Sequence, residues 1–210
     1  MTDFTIFLVD DDPGVLQGLT WLLEAAGYST KAYSSAKAFL DEHDDSMPGC
    51  VVLDLAMPEL NGLKVQDALV RRRITRPIIF LTGEATIPES VQAIKAGAMD
   101  FLTKPIQKFE LLRSIEAAKA HDREQRRVEA ERNAILQRMA KLTAREREVL
   151  DYVTKGWRNK QIGGALGVNE KTIKLYRGRM YEKMGARTVP DLVRMTALAS
   201  QENGGQVKNH

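Results

Sequence analysis

The sequence lacks several features that mark secreted and membrane proteins. Cys50 is the one cysteine among 210 residues, so no disulfide can form within the chain and a reducing compartment is expected. No apolar run approaches the ~20 residues of a membrane-spanning helix. The amino-terminal segment has no basic stretch, and its apolar run is too short for a signal peptide. These absences predict a soluble cytoplasmic protein that does not engage a membrane.

Acidic residues are scarce in the second half of the chain. Residues 1–120 carry 12 Lys and Arg and 17 Asp and Glu, a net charge of −5, whereas residues 121–210 carry 19 and 11, a net charge of +8. A basic half of this kind is typical of a surface that meets a polyanion, although it can also be an ordinary solvated surface. The length suits two small domains or one larger one, and the charge division favours two.

Short apolar segments alternate with stretches of helical periodicity in the first half. Apolar runs of four to eight residues bounded by turn signals are typical of strands buried on both faces of a parallel sheet. The strands are predicted near residues 6–9, 30–33, 50–54, 77–81 and 101–103. The helices are predicted near residues 13–26, 36–40, 63–72 and 88–97. This alternation predicts a doubly wound α/β domain with right-handed crossovers.

Polar side chains directly follow these predicted strands. The set comprises Asp10, Asp11, Asp54, Thr82 and Lys104. Because the carboxyl ends of parallel strands meet at one edge of a sheet, we expect the set to converge. Clustered carboxylates repel unless a cation joins them, and all-oxygen ligands suit Mg²⁺. The set predicts a site where Asp54 attacks a phosphoryl group, Thr82 binds a phosphoryl oxygen, and Lys104 with the metal neutralises charge.

Single members of this set have simpler explanations. Thr82 and Lys104, taken alone, could be ordinary loop residues. Asp12 fits a cap of the following helix better than a metal ligand. Cys50 fits a small buried apolar residue of its strand.

A long helix is predicted over residues 109–139, which contain neither proline nor glycine. Val128, Ile135 and Leu142 recur every seven residues, which is fewer repeats than a coiled coil needs. A solvated helical linker is therefore the preferred interpretation, and a dimerising linker is the alternative.

Four further helices are predicted after this segment. A short helix, a tight turn and a longer helix at residues 159–184 are typical of a helix-turn-helix motif, although many helical hairpins bind no nucleic acid. The longer helix is basic, with Lys171, Lys174, Arg177, Arg179 and Lys183. Gly163 and Gly164 cost the shorter helix about 1 kcal/mol each unless a packing need explains them. Trp157, just before it, could be an exposed contact or could cover the core, and we favour the core.

These motifs resemble a known family. The acid pair, the segment Asp-x-x-Met-Pro-x-x-x-Gly from Asp54 to Gly62, the Thr and the Lys-Pro resemble a receiver domain of a two-component response regulator. The segment from Leu142 to Arg187 resembles the four-helix DNA-binding domain of the NarL/FixJ and LuxR family, and residues 3–200 are FixJ-like. The fold implied is a five-stranded, flavodoxin-like receiver joined by a long helical linker to an all-α four-helix domain. The expected divisions are a receiver over residues 1–120, a linker over 121–140, a LuxR-type helix-turn-helix domain over 141–203 and a disordered tail over 204–210.

The resemblance implies a phosphorylation-activated, DNA-binding transcriptional regulator rather than an enzyme. A sensor histidine kinase would phosphorylate Asp54. Asp11, Asp54 and the backbone carbonyl of Ala56 would coordinate Mg²⁺, with Asp10 acting through water.

The resemblance also implies a switch in the receiver. In similar proteins, residues like Thr82 and Phe101 shift together on phosphorylation and remodel a nearby face, although Phe101 could also be a core strand residue. Lys104 and Pro105 are expected to be joined by a cis peptide bond. Glu59 stands where the family commonly has glycine, and Glu84 could alter how long the phosphoryl group persists.

The implied DNA contacts lie in the helix-turn-helix motif. Lys174 and Leu175 would face base edges in the major groove. Phosphate contacts are assigned to Lys160, Thr172, Tyr176 and Arg177. The surface also includes Arg179 and Gly178, which replaces a larger residue that commonly reads DNA.

The implied partners are a histidine kinase, double-stranded promoter DNA with a two-fold symmetric site, RNA polymerase, and a second copy of the chain on phosphorylation.

Two other functions compete with that of a transcriptional regulator. A haloacid-dehalogenase-like phosphatase also uses an aspartyl nucleophile and Mg²⁺, but it needs a second Asp where this chain has Ala56. The third candidate is a receiver that titrates a partner protein, with the basic domain as its docking surface.

Overall fold

A computed structural model describes residues 4–83 and 97–200 of the chain. The chain divides into two compact units, Met1–Arg126 and Arg127–His210. The helix predicted near residues 88–97 falls, except for Gly97, outside the described residues. Glu84 and the predicted tail over 204–210 also lie outside them.

In the first unit, the described residues form one sheet of five parallel strands in the order β2-β1-β3-β4-β5. The strands are β1 Thr5–Val9, β2 Ser29–Tyr33, β3 Gly49–Asp54, β4 Ile78–Thr82 and β5 Asp100–Thr103. The described helices that begin in this unit are α1 Pro13–Ala25, α2 Ala36–Glu42, α3 Gly62–Arg71 and α4 Lys108–Ala140. The doubly wound α/β prediction is confirmed.

Alternate residues of the central strands supply two apolar cores. On one face of the sheet, Phe7, Leu53 and Phe80 pack with residues of α2 and α3. On the other face, Leu8 and Cys50 pack with α1 and the beginning of α4. Cys50 is fully buried, and burial raises the pKa of its thiol to about 12. It is therefore the small apolar core residue that the sequence predicts.

Side-chain caps fix where several helices begin. The Asp12 carboxylate accepts hydrogen bonds from the N–H groups of Gly14 at 2.7 Å and Val15 at 3.4 Å. Its predicted role as the cap of α1 is confirmed. Since α1 begins directly after the acid pair, this cap also fixes the backbone that follows β1.

The described part of the second unit contains four further helices. They are α5 Ala144–Thr154, α6 Asn159–Leu166, α7 Glu170–Met184 and α8 Val189–Ser200. Thr143 and Glu146 form the predicted capping box at the start of α5, and Asn169 caps α7. Leu150 and Ile173 are among the residues of one core that these helices share.

The last turns of α4 belong to the second core. Ile135 is 2% exposed and Leu142 is 7% exposed, and both pack in that core. Their seven-residue spacing thus serves packing within the unit. The segment interpreted as a solvated linker is divided, because residues up to Arg126 belong to the first unit and Ile135 packs in the second.

The two adjacent glycines of α6 differ in their surroundings. A Cβ added to Gly163 would lie 2.7 Å from the carbonyl oxygen of Val168, whereas one added to Gly164 would meet nothing within 4 Å. Packing therefore explains the glycine at 163 only.

Candidate functional site

Lys104 joins two buried carboxylates at one edge of the sheet. Its Nζ lies 2.7 Å from Oδ2 of Asp10 and 2.8 Å from Oδ1 of Asp54. Asp10 is 1% exposed and Asp54 is 4% exposed. Asp10 follows β1, Asp54 ends β3 and Lys104 follows β5, so the parallel sheet brings together residues that are far apart in sequence, as predicted.

Backbone amides hold the remaining oxygens of the two acids. The N–H of Asp12 donates to Oδ1 of Asp10 at 2.9 Å, and the N–H of Ala56 donates to Oδ2 of Asp54 at 2.9 Å. Gly62 is needed for this loop, because a Cβ there would lie 2.7 Å from the carbonyl oxygen of Asp54. The glycine that closes the Asp-x-x-Met-Pro-x-x-x-Gly segment thus lets the loop pack closely behind the acid.

Burial and the ion pairs shift the acid–base properties of this site. Burial raises the pKa of Asp10 above its ordinary value, although the hydrogen bond from Lys104 opposes the shift. Burial lowers the pKa of Lys104, but its hydrogen bonds to Asp10 and Asp54 outweigh that effect, so its pKa is raised overall. Lys104 therefore stays a cation beside the two acids at neutral pH.

The other predicted members of the site lie nearby to different degrees. Thr82 ends β4, is 1% exposed, and accepts through its carbonyl oxygen a hydrogen bond of 2.7 Å from the backbone N–H of Lys104. Asp11 is exposed beside Asp10. Within residues 4–83 and 97–200, no three acidic, His or Cys side chains are grouped closely enough to hold a metal ion.

The loop after Asp54 and the residues around Lys104 show three further features. Glu59 adopts a positive φ of 63°, which accounts for the glycine common at this position in the family. The peptide bond between Lys104 and Pro105 is cis, as expected. Phe101 is partly buried, with its ring centroid 6.1 Å from that of Phe80.

The second unit presents an exposed basic helix. The exposed residues of α7 include Lys171, Lys174, Leu175, Gly178 and Arg179. Leu175 is 52% exposed in the middle of this set. Lys160 is exposed on α6.

Other basic residues of α7 are held within the unit. Nη1 of Arg177 donates to Oδ1 of Asn159 in α6 at 2.9 Å. Nζ of Lys183 lies 2.6 Å from the buried carboxylate of Glu146, and this hydrogen bond lowers the pKa of Glu146. These contacts fix α7 against α6 and α5.

Comparisons with known proteins identify the family of each unit. Residues 6–116 match the response regulator receiver domain, and residues 140–196 match the bacterial regulatory proteins of the luxR family. The chain is 40% identical to the response regulator protein TodT of Pseudomonas putida over 191 residues, which are 91% of this chain and 84% of TodT. It is 37% identical to the transcriptional regulatory protein FixJ of Rhizobium meliloti over 199 residues, which are 95% of this chain and 97% of FixJ. The structure of the response regulator StyR matches with a TM-score of 0.82 and 36% identity, covering 93% of this chain and 98% of StyR.

The chain belongs to the response regulators with a LuxR-type DNA-binding domain. It is thus a DNA-binding transcriptional regulator of the two-component type, as the motifs predict. The described residues of this response regulator include no helix long and apolar enough to cross a membrane.

One expectation about the response regulator is wrong, and one feature was missed. Trp157 does not cover the core, because the turn at Gly156, with φ 83°, places its ring against Tyr152 while 40% of the residue stays exposed. No motif in the sequence indicates that the cations around Trp157 form a surface. The absence of acidic residues from 152–169 was the signal that could have revealed it.

Proposed function

We propose that phosphorylation of Asp54 by a sensor histidine kinase switches this response regulator. The observation that carries the proposal is the contact of Lys104 with Asp10 and Asp54 at 2.7 and 2.8 Å. A buried carboxylate beside a fixed cation is placed to attack phosphorus and to have the resulting charge stabilised.

Each residue of the site then has a chemical role. An Asp54 oxygen forms a bond to phosphorus while the bond between phosphorus and the kinase imidazole breaks, and the imidazole leaves with the electron pair. Lys104 would bind a phosphoryl oxygen in place of the Asp54 oxygen that it now holds. The Thr82 hydroxyl would donate to another phosphoryl oxygen. Thr82 and Phe101 would then shift together and remodel the neighbouring surface.

The oxygen donors at this edge fit Mg²⁺. Lys104 is paired with the carboxylates of Asp10 and Asp54, and Asp11, which is exposed beside Asp10, would have to turn towards them to supply a third. Oxygen ligands with surplus negative charge suit a hard divalent cation. We assign the metal to Asp11, Asp54 and the carbonyl of Ala56, with Asp10 acting through water. When bound, the ion would neutralise charge on the phosphoryl oxygens.

The second unit would carry the output. We propose that α7 enters the major groove, with Lys174 and Leu175 at base edges and Lys160 and Thr172 at phosphates. Tyr176, Gly178 and Arg179 extend this surface. Arg177 is also assigned to a phosphate. Because its Nη1 donates to Asn159, the phosphate contact would either use the other N–H groups of the guanidinium or replace that hydrogen bond.

Phosphorylation would favour a dimer with a second copy of the chain. The two α7 helices of the dimer would read a two-fold symmetric promoter site, and the bound dimer would recruit RNA polymerase. This requires a coupling free energy between the two sites of typically 1–3 kcal/mol.

The cytoplasmic location stays a prediction. Ala56, at the position where a phosphatase of the aspartyl-nucleophile type needs a second Asp, argues against that enzyme. A protein-titrating receiver would bind duplexes without sequence discrimination and only at low salt.

Mass spectrometry after treatment with acetyl phosphate tests the proposal. The parent protein should gain one phosphoryl group in the presence of Mg²⁺, and the Asp54→Asn variant should gain none. The matched control is Asp67→Asn, which changes an exposed carboxylate on α3 and should be labelled like the parent. Equal labelling of Asp54→Asn, or full labelling of the parent in excess chelator, would reject it.

A further inference from the structure

The turn between α5 and α6 carries an exposed basic and aromatic patch. We call Lys155, Trp157 and Arg158 the α5–α6 patch, and all three are exposed. With Lys160, they lie in a stretch, residues 152–169, that contains three basic residues and no Asp or Glu. The patch therefore has a local positive charge, and the nearest acids in sequence are Asp151 before it and Glu170 after it.

The two cations of the patch are unpaired within the described part of the chain. Neither Lys155 nor Arg158 makes an ion pair or a side-chain hydrogen bond with any described residue. Elsewhere in the same unit such residues are paired, as in Arg145 with Glu148 at 2.8 Å. Because the charges of the patch are uncompensated, they are available to an anionic partner.

The aromatic member of the patch is held in place although it is exposed. The Trp157 ring centroid lies 4.7 Å from that of Tyr152, and the Trp157 backbone N–H donates to the Tyr152 carbonyl oxygen at 3.1 Å. Trp157 nevertheless stays 40% exposed. A large amphipathic ring that is already ordered loses little conformational entropy when a partner covers it.

The patch lies next to the helix that is proposed to read DNA. Asn159 follows Arg158 directly and begins α6, and its side chain accepts the 2.9 Å hydrogen bond from Arg177. Arg177 is one helical turn beyond Lys174 in α7. The patch is therefore continuous with the proposed DNA surface.

We infer that the α5–α6 patch is a second contact with duplex DNA, in which Lys155 and Arg158 bind phosphates and Trp157 packs on the adjacent sugar. The inference rests on the proposed function, since α7 must bring the duplex to the unit. A duplex matches a surface that has an exposed aromatic ring and cations paired with no acid of the described residues. The contact would strengthen binding to every sequence, whereas α7 supplies discrimination.

A salt titration of the full-length protein tests the phosphate contacts. The probe is a duplex selected from a random pool by the beryllofluoride-treated parent, alongside a scrambled duplex. Lys155→Ala/Arg158→Ala should flatten the slope of log K against log salt by about 1.8 for each protomer, twice the ~0.9 of one phosphate contact, on both duplexes. Lys64→Ala/Arg71→Ala, which removes two exposed cations from α3, is the matched control and should keep the parent slope.

Fluorescence quenching tests the position of Trp157 with its ring in place, and a substitution tests its contribution to affinity. In a Trp21→Phe background, Trp157 is the one remaining tryptophan. Bound duplex should shield it from iodide quenching, and Trp157→Ala should lower affinity for both duplexes by the same factor.

Two results would overturn the inference. One is a slope for Lys155→Ala/Arg158→Ala equal to that of the control, and the other is iodide quenching of Trp157 that bound duplex leaves unchanged. A patch that contacts a protein instead would give both of these results. Its variants would then lose transcription although they bind DNA normally. If selection recovers no preferred sequence, the proposed reading by α7 fails, yet the slopes on a random duplex still decide the role of the patch.

Discussion

Charged side chains are hydrogen-bonded in the carboxylate site of the receiver but exposed on the DNA surface of the second unit. In the receiver, both oxygens of Asp10 and of Asp54 are held by Lys104 or by a backbone N–H. On the DNA surface, Lys160, Lys171 and Arg179 are exposed and contact no acid among the described residues. One site is organised before its ligand arrives, and the other leaves cations in solvent.

This difference follows from the chemistry that each site must perform. A phosphoryl group is transferred to a single oxygen, so the acid and its counter-charge must be positioned in advance. Duplex DNA offers a repeating array of phosphates, so mobile cations on one face are sufficient for affinity. Substitutions in the receiver site should therefore affect folding, whereas those on the DNA surface should affect binding alone.

The largest effect is expected at Lys104. Lys104→Met leaves two buried carboxylates without their cation, which should lower the free energy of unfolding of the receiver by about 3 kcal/mol. Urea unfolding measures the change. Adding Asp54→Asn should recover part of the loss, because one of the two charges is then removed. A loss no greater than that of Lys64→Met, an exposed lysine of α3, would contradict the organised site.

Ile135 tests how far the second unit extends into α4. Ile135→Ala should lower the free energy of unfolding of that unit by about 2–4 kcal/mol, because it opens a cavity in the core. Leu136→Ala is the matched control, since Leu136 is 36% exposed, and it should cost less than about 1 kcal/mol. Equal costs would place this part of α4 outside the folded unit.

Base and phosphate contacts should be separable on the DNA surface. Lys174→Ala should cost about 1–3 kcal/mol on a specific site and little on a scrambled duplex. Lys160→Ala should weaken both and flatten the salt slope by about 0.9. Salt titrations of both variants on both duplexes provide the measurement. If Lys174→Ala lowers the two affinities equally, Lys174 is a phosphate ligand.

The adjacent glycines of α6 should give the smallest effects, with opposite signs. Gly164→Ala should stabilise the second unit by up to about 1 kcal/mol, because alanine favours a helix and its Cβ meets nothing within 4 Å. Gly163→Ala should destabilise it, because the new Cβ lies 2.7 Å from a carbonyl oxygen. Thermal unfolding of the two variants decides this, and a gain at position 163 would be the contrary result.

Sequence predicted that Asp10, Asp54 and Lys104 come together, because each follows or ends a strand of a parallel sheet. The apolar runs locate β1, β3 and β4, and their parallel order places Asp10, Asp54 and Thr82 at one edge. Local capping chemistry likewise located the starts of α1, α5 and α7. These features depend on residues that are neighbours in sequence or on a simple sheet topology.

Contacts between distant side chains were not predictable in this way. Arg126, at the end of the first unit, donates to the carbonyl oxygens of Asp45, Ser46 and Met47, at 3.1, 3.0 and 2.6 Å. No periodicity or motif indicates that contact, because it depends on how α4 packs beside the loop before β3. The hydrogen bond from Arg177 to Asn159 and the burial of Ile135 escaped prediction for the same reason.

The most direct test of the central claim measures phosphorylation and DNA affinity on the same samples. The parent and Asp54→Asn are incubated with acetyl phosphate and Mg²⁺, weighed by mass spectrometry, and titrated with a duplex selected by the activated parent. The parent should gain one phosphoryl group and bind about 5–150-fold more tightly, the range of typical coupling, while Asp54→Asn should change in neither respect. A phosphorylated parent whose affinity equals that of the untreated protein would contradict the account, as would an Asp54→Asn variant that gains the phosphoryl group.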